Sequence, residues 1–335
     1  MSDGVLAAPA PPAPPPAPAG RSRPTTGGLA RFTQRYGAVV ALVGLFAYNA
    51  AFTPFFLTTQ NLVNIQLRQA APVAIVALGM ALVISTGGID LSVGSVMAIS
   101  GQVGALALLS GLDPYLAWAA ALAAALACGL FNGVLVARYA VQPIIATLIL
   151  FIAGRGIAQL ITDGKLQSFR NPEFQWLGLG RPGGIPAQVL VLVVIAAVVA
   201  AVLRWTTFGR YVVAVGGNET SSRLAGVPVA RTKLLAYGTS GLLAGVVGLI
   251  VIGNTSASDA NNTGLGVELD AIAAVAVAGV PLTGGRMTVV GTVVGALTLR
   301  LLQNTLIAHG IPKEVAQMIQ GVVIVLALYL QRRGR

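Results

Sequence analysis

Ten apolar segments, each near the length of a membrane-spanning helix, follow one another through the chain. A span takes about 20 residues. Apolar residues make up 56% of the chain and charged residues only 9%, whereas soluble domains carry about 25% charged residues. The sequence therefore predicts an all-α polytopic membrane protein of about ten transmembrane helices. The segments are 36–56, 62–84, 90–110, 114–137, 142–162, 186–203, 233–254, 265–281, 287–308 and 314–331.

The positions of the basic residues predict the orientation of these segments. If the N-terminus is inside, the inner loops hold Arg138, a basic cluster between the sixth and seventh segments, Arg286 and the C-terminal arginines. Cytoplasmic loops carry such an excess of lysine and arginine, so we expect both termini in the cytoplasm. The net charge of +11 sits at the termini and in one loop, which favours contact with membrane lipid and not with nucleic acid.

Two regions follow from composition. Residues 1–28 are rich in proline and alanine and have little apolar surface to bury, so they predict a disordered cytoplasmic tail. Residues 29–335 form the transmembrane domain.

A single carboxylate interrupts the apolar sequence between the second and third segments. Asp90 lies within STGGIDLSVGSVMAISG (85–101), after Gly87 and Gly88 and shortly before Gly94. One interpretation is a helix broken at membrane depth, where exposed N–H groups at a helix start favour a negative charge. The other is a cytoplasmic turn in which Asp90 is a simple N-cap.

The third and eighth segments share this pattern. The eighth begins near Glu268 and Asp270 and continues, like the third, as a helix of small residues. Five spans separate the two, so they run in opposite directions, as an inverted repeat requires.

The longest inner loop, residues 204–232, contains a signal for a short helix. Asn218 is placed to cap a helix over residues 219–225, with Gly226 at its end and Pro228 preventing continuation. Such a helix suits docking by a partner protein. It equally suits a position at the lipid headgroups.

Five motifs together resemble the permease subunits of bacterial ABC importers for monosaccharides, of the ribose, xylose, galactose and autoinducer type. The resemblance covers about residues 61–324. Its blocks are GMALVISTGGIDLSVGSVMAISG (79–101), FNGVLVARYAVQPIIATL (131–148), GRYVVAVGGNETSSRLAGV (209–227), LGVELDAIAAVAVAGVPLTGG (265–285) and GALTLRLLQNTL (295–306).

The resemblance implies a type II ABC-importer permease fold in the cytoplasmic membrane. It also implies a homodimer, two ATP-binding ABC ATPase subunits inside, and a periplasmic or lipid-anchored sugar-binding protein outside. The inner loop then corresponds to the family's coupling helix, which docks on the ATPase. Its coupling residues are Gly216, Gly217, Asn218, Glu219, Arg223 and Gly226.

The sequence predicts transport and no catalysis. It contains no GxxxxGK[ST] phosphate loop and no cluster of histidines and cysteines for a metal, so we expect no catalytic residue, cofactor or metal site. Ser/Asn/Gln side chains and two acids in the apolar segments are candidates for the translocation pathway, although interhelical hydrogen bonding is the commoner role of such residues. The pathway candidates are Asp90, Ser92, Ser95, Asn132, Gln142, Asn254, Asp270 and Asn304.

Two arginines within apolar segments, Arg155 and Arg300, cannot face lipid cheaply. We expect them to be buried ion partners or pathway rims, with Asp90 or Asp270 as counter-charges.

Three other functions compete with monosaccharide transport. A permease of the same architecture could carry a nucleoside or a branched-chain amino acid. An ion-coupled secondary transporter is a more distant alternative, since the apolar segments contain few acids.

Overall fold

The computed structural model describes residues 28–333, with side-chain environments for residues 37–323 and 325. The predicted tail, residues 1–28, lies outside the described residues except for Gly28. Two residue pairs, β1 Gln167–Ser168 and β2 Ala257–Ser258, form the strands of this part of the chain, and the rest of its regular structure is helical. The helices are α1 Gly28–Phe52, α2 Thr59–Asn61, α3 Arg68–Ser85, α4 Val93–Leu109, α5 Pro114–Ala137, α6 Pro143–Ile161, α7 Trp176–Leu179, α8 Ala187–Trp205, α9 Thr207–Gly217, α10 Glu219–Leu224, α11 Val229–Thr255, α12 Val267–Val277, α13 Val289–Ala308 and α14 Lys313–Arg333, with a π-helix at Leu62–Leu67 and a 3-10 turn at Pro182–Gly184.

Each of the ten predicted segments overlaps a helix of at least 11 residues. By length and composition, six helices of the described chain can cross a membrane: Thr59–Ser85, which joins α2, the π-helix and α3, together with α5, α6, α8, α11 and α13. Gly37–Phe52 and α4 are shorter apolar helices. The prediction of an all-α polytopic fold is confirmed.

The eighth predicted segment, 265–281, is not a spanning helix. Its helix α12 has 11 residues, about 16 Å at 1.5 Å per residue, whereas the hydrocarbon core is about 30 Å thick. The helix begins only after Gly266, which has a left-handed φ of 76°. It ends before Gly279, at φ 78°, and Pro281 lacks the amide hydrogen that a continuing helix needs.

The centre of the bundle is formed by α3 and α11, which are mostly buried, whereas only a third or less of the span in α5, α6 and α8 is buried. Helix α11 packs closely on α5 where glycines meet. A Cβ atom at Gly129 would lie 2.5 Å from the carbonyl oxygen of Tyr237 and 3.0 Å from Cα of Gly241. Small residues let helix backbones approach in this way.

The two ends of the bundle differ. One end carries the loop of α9 and α10, between α8 and α11. At the other end β1 and β2 pair antiparallel, with Gln167 opposite Ser258. These strands join the segment after α6 to the segment after α11 and so fix the end of the bundle opposite the loop.

Candidate functional site

The loop between α8 and α11 is shorter than predicted and contains two helices. The predicted range, 204–232, is too wide at both sides, because α8 continues to Trp205 and α11 already begins at Val229. Helix α9, Thr207–Gly217, was not predicted as a separate helix. The predicted helix 219–225 corresponds to α10 and is one residue too long; its start is correct because the Asn218 side chain accepts a hydrogen bond from the Ser221 amide at 2.8 Å.

Helix α10 is bonded to the base of α11 through one carboxylate. Glu219 accepts hydrogen bonds from Arg223 Nη2 at 3.0 Å and from Lys233 Nζ at 2.6 Å. The Lys233 side chain is 13% exposed, so this pair lies against the bundle. Arg223 and Leu224 point away from it and are mostly exposed. A displacement of α10 therefore acts directly on α11.

The ion pair with Lys233 predicts an acid-sensitive loop. The hydrogen bond from Lys233 holds the pKa of Glu219 below its ordinary value. A lowered folded-state pKa stabilises the fold above the ordinary glutamate pKa, about 4.3, and this contribution is lost as the pH falls through the folded-state value. We expect amide-exchange protection of α10 to fall between about pH 5 and pH 3. In Glu219→Gln this acid-dependent loss of protection should be absent. An equal loss in both proteins would show that the ion pair between Glu219 and Lys233 does not stabilise α10.

The loop also contacts the end of α3 through backbone atoms. Gly216 packs so closely that a Cβ atom there would overlap the carbonyl oxygen of Ser85 and lie 2.5 Å from the amide nitrogen of Gly285. That amide donates to the same Ser85 carbonyl at 3.0 Å. The α9 end, the α3 end and the α12–α13 turn therefore meet at one point without intervening side chains.

Asp90 lies inside the bundle and not in a surface turn. Its side chain accepts hydrogen bonds from the Ser92 amide and hydroxyl at 3.0 and 2.7 Å and from Ser240 Oγ at 2.8 Å. Ser92 Oγ accepts in turn from Asn132 Nδ2 at 2.8 Å. Ser240 is 11 residues into α11, about 16 Å along its axis. The four side chains join α4, α5 and α11.

Two predictions about Asp90 are corrected. It lies outside the helix that the third segment, 90–110, was expected to form, because α4 begins at Val93 and its N-cap is Ser92. Asp90 bonds this capping residue and does not cap the helix itself. It is also no counter-charge for Arg155, which donates to the carbonyls of Ala260 and Thr263 at 2.8 and 2.7 Å.

The acidic starts of the third and eighth predicted segments meet in space. A Cβ atom at Gly94 would overlap the carbonyl oxygen of Gly264 and lie 2.6 Å from Glu268 Oε2. Nearby, Ser95 Oγ donates to the Phe151 carbonyl at 2.5 Å. The start of α4 is thus fixed between α6 and the segment before α12.

The remaining pathway candidates lie apart from Asp90. Gln142 is an exposed N-cap of α6 without a side-chain capping bond. Asp270 accepts from Gln320 Nε2 at 3.0 Å, and it is the acid that interacts electrostatically with Arg300. Asn304 donates to Gln66 Oε1 at 2.9 Å.

Asn254 belongs to a polar cavity of about 410 Å³. Its Oδ1 accepts from Arg68 Nη2 at 2.5 Å, and its Nδ2 donates to Gln188 Oε1 at 3.1 Å. Arg68 and Gln188 were not among the residues predicted for the pathway. Their signal was present, since both are polar residues within apolar segments. The polar residues of the cavity wall are Asn64, Arg68, Gln69, Gln188, Asn254 and Arg300.

Comparison with known proteins places this architecture in a family. Residues 62–328 match the family described as the permease component of the branched-chain amino acid transport system. The chain belongs to this permease family. The protein is therefore the permease component of a transport system and a multi-pass membrane protein.

Relatives of the permease are named for sugars. It is 42% identical to the galactofuranose transporter permease protein of Escherichia coli K12, over 79% of this chain and 78% of the relative. It is 40% identical to the ribose import permease protein of the same strain, over 88% and 93% of the two chains. The fructose import permease protein of Bifidobacterium longum is 37% identical, over 79% and 76%.

A solved structure shares the fold. It is an inward-facing conformation of a putative metal-chelate type ABC transporter, with a TM-score of 0.51 and 14% sequence identity, matched over 88% of this chain and 98% of the other. The expected permease fold of the ABC-transporter class is confirmed.

Proposed function

We propose that this permease moves a monosaccharide across the cytoplasmic membrane, driven by separate ABC ATPase subunits. The observation that carries the proposal is the α10 helix, bonded to α11 through Glu219 and Lys233 at the end of the bundle where Gly216 touches the α3 end. Force applied to α10 there reaches the helices that hold Asp90. The coupling residues are those predicted from the loop: Gly216, Gly217, Asn218, Glu219, Arg223 and Gly226.

The cavity wall supports a sugar over the rival substrates. No carboxylate lines the cavity among the described residues, so the ammonium group of a branched-chain amino acid has no counter-charge there. No aromatic side chain lines it either, which leaves a nucleoside base without a stacking surface. The relatives named for galactofuranose, ribose and fructose support the same choice.

The proposed protein and lipid partners are assigned to the exposed surfaces of the permease. The exposed face of α10, with Arg223 and Leu224, faces the ATPase in the cytoplasm, and a sugar-binding protein delivers substrate at the β1–β2 end. With the α9–α10 loop facing the cytoplasm, both termini lie in the cytoplasm as well, as the positions of the basic residues predict. Apolar side chains exposed on α6 and α8 contact lipid and a second copy in a homodimer. The pathway candidates near Asp90 form the polar centre of each protomer.

The docking proposal is tested by placing a charge on the α10 face. Leu224 is 86% exposed, so a partner that docks on α10 would cover it. We expect Leu224→Glu to lower the ATPase copurifying with the permease about tenfold or more, because the partner would bury an unpaired charge. Sugar uptake should fall with it, while membrane insertion stays normal.

The matched control is Leu166→Glu. Leu166 is 58% exposed and directly precedes β1, at the end of the bundle opposite the loop, so ATPase retention should not change. Equal ATPase retention in Leu224→Glu and wild type would refute the docking site. Uptake by the permease alone, driven by an ion gradient, would instead favour a secondary transporter.

A further inference from the structure

The polar cavity is built into helices that are otherwise apolar. Its wall comes from the start of α3, the start of α8, the end of α11 and Arg300 of α13. The cavity volume of about 410 Å³ falls within the usual range for small-molecule sites. Nothing in the proposed coupling machinery uses it.

The backbone beside the cavity is irregular in a way that is typical of functional sites. The six-residue π-helix, Leu62–Leu67, ends immediately before Arg68, and π-helical turns are frequent at such sites. Pro72 lines the cavity and has no amide hydrogen to donate to the Arg68 carbonyl four residues earlier. These departures from a regular helix occur in one stretch facing the cavity.

Gln188 of the cavity wall has a buried amide nitrogen without a hydrogen-bond partner among the described residues. The chain from Arg68 to Asn254 to Gln188 uses Gln188 Oε1 as its last acceptor. Gln188 is 0% exposed, and among the described residues its Nε2 has no hydrogen-bond partner. A buried donor without a partner costs free energy, and a bound hydroxyl group removes that cost.

We propose that this cavity is a monosaccharide-binding site within the permease, in which Gln188 Nε2 donates to a sugar hydroxyl and Arg68 orients the amide chain behind it. This proposal rests on the proposed function, and it assigns Gln188 as the residue that contacts the transported sugar. Binding here gives the permease its own selectivity for hydroxyl pattern, independent of any delivering protein.

The test compares Gln188→Leu with Gln102→Leu. Gln102 is also 0% exposed and its amide atoms also lack partners, but it lies on α4 outside the cavity wall. Complexes with ATPase and binding protein, reconstituted in liposomes, are assayed for uptake of D-ribose, D-fructose and D-galactose. The sugar that wild type takes up fastest is then compared with its monodeoxy analogues.

We expect Gln188→Leu to lower uptake of that sugar about tenfold, the size of one lost hydrogen bond to a buried donor. For one monodeoxy analogue, wild type and variant should take up equal amounts, because the analogue lacks the hydroxyl that Gln188 binds. Gln102→Leu should keep the wild-type preference. Gln188→Glu, which keeps the shape and removes the donor when ionised, should repeat the result if Gln188→Leu assembles poorly.

The outcomes separate the two proposals. If wild type takes up a sugar and both Gln188 variants keep its preference over every analogue, the cavity site is wrong while the proposed function stands. If wild type takes up none of the sugars but takes up leucine or uridine, the proposed function is wrong and the site falls with it.

Discussion

Replacing Gly216 with alanine should lower uptake at least about tenfold, while the same change at the neighbouring Gly217 should leave it nearly intact. The Gly216 Cβ would overlap the Ser85 carbonyl and crowd the Gly285 amide, whereas a Cβ at Gly217 meets nothing within 4 Å. Both residues end α9, so helix propensity changes equally in the two variants. Only the contact differs.

The expected loss of uptake in Gly216→Ala follows from the backbone atoms that surround this residue. Overpacking costs about 1–3 kcal/mol in well-packed sites, and here the obstructing atoms are backbone and cannot rotate away. The loop must then move from the α3 end, breaking the transmission from α10 to the helix break. Uptake should fall at least about tenfold.

The measurement is ATP-driven uptake and ATPase turnover in liposomes containing the complete complex. We expect Gly216→Ala to retain the ATPase and to hydrolyse ATP with little uptake, since the exposed α10 face is unchanged. Equal uptake by both alanine variants would show that the glycine contact does not transmit motion.

Replacing Asp90 with leucine should have the largest effect on stability. The substitution removes the acceptor of three hydrogen bonds in a group that is 1% exposed. The Ser92 amide and the Ser240 hydroxyl are then buried without that acceptor, at about 1–3 kcal/mol each. The free energy of unfolding should fall by about 3 kcal/mol or more.

Two further variants show whether the loss of stability comes from the hydrogen bonds of Asp90 or from the loss of any aspartate. Asp90→Asn keeps one acceptor oxygen and should lie between wild type and leucine. Asp113 is an exposed N-cap of α5, and Asp113→Leu should cost only about 1 kcal/mol. The measurement is the fraction of solubilised permease that stays monodisperse after heating. A leucine variant as heat-stable as Asp113→Leu would argue against a structural network at Asp90.

The contacts of Asp90 and the contacts of Gly216 belong to one connected set of contacts in the bundle. The Asp90 network fixes the start of α4 against α5 and α11. The contact of Gly94 with Gly264 joins that start to the segment before α12. In the proposed coupling, a shift that begins at Gly216 would reach the centre of the bundle through the α3 end.

Much of this protein was determined by local sequence. Apolar runs of spanning length predicted a helix in every segment, because backbone polar groups in a bilayer must be satisfied within helices. Asn218 predicted α10, since a cap acts on amides only a few residues away. The motifs identified the family for the same reason, as they are contiguous in the chain.

Tertiary structure decided what depends on distant residues. That Asp90 meets Ser240, 150 residues away, that Gly216 touches Ser85, and that Arg68 bonds Asn254 has no local signal. The eighth segment was misjudged because hydropathy does not register glycines whose φ ends a helix. Polar side chains inside a membrane domain choose partners by how helices pack, so only the packed bundle shows which of them form a network and which line a cavity.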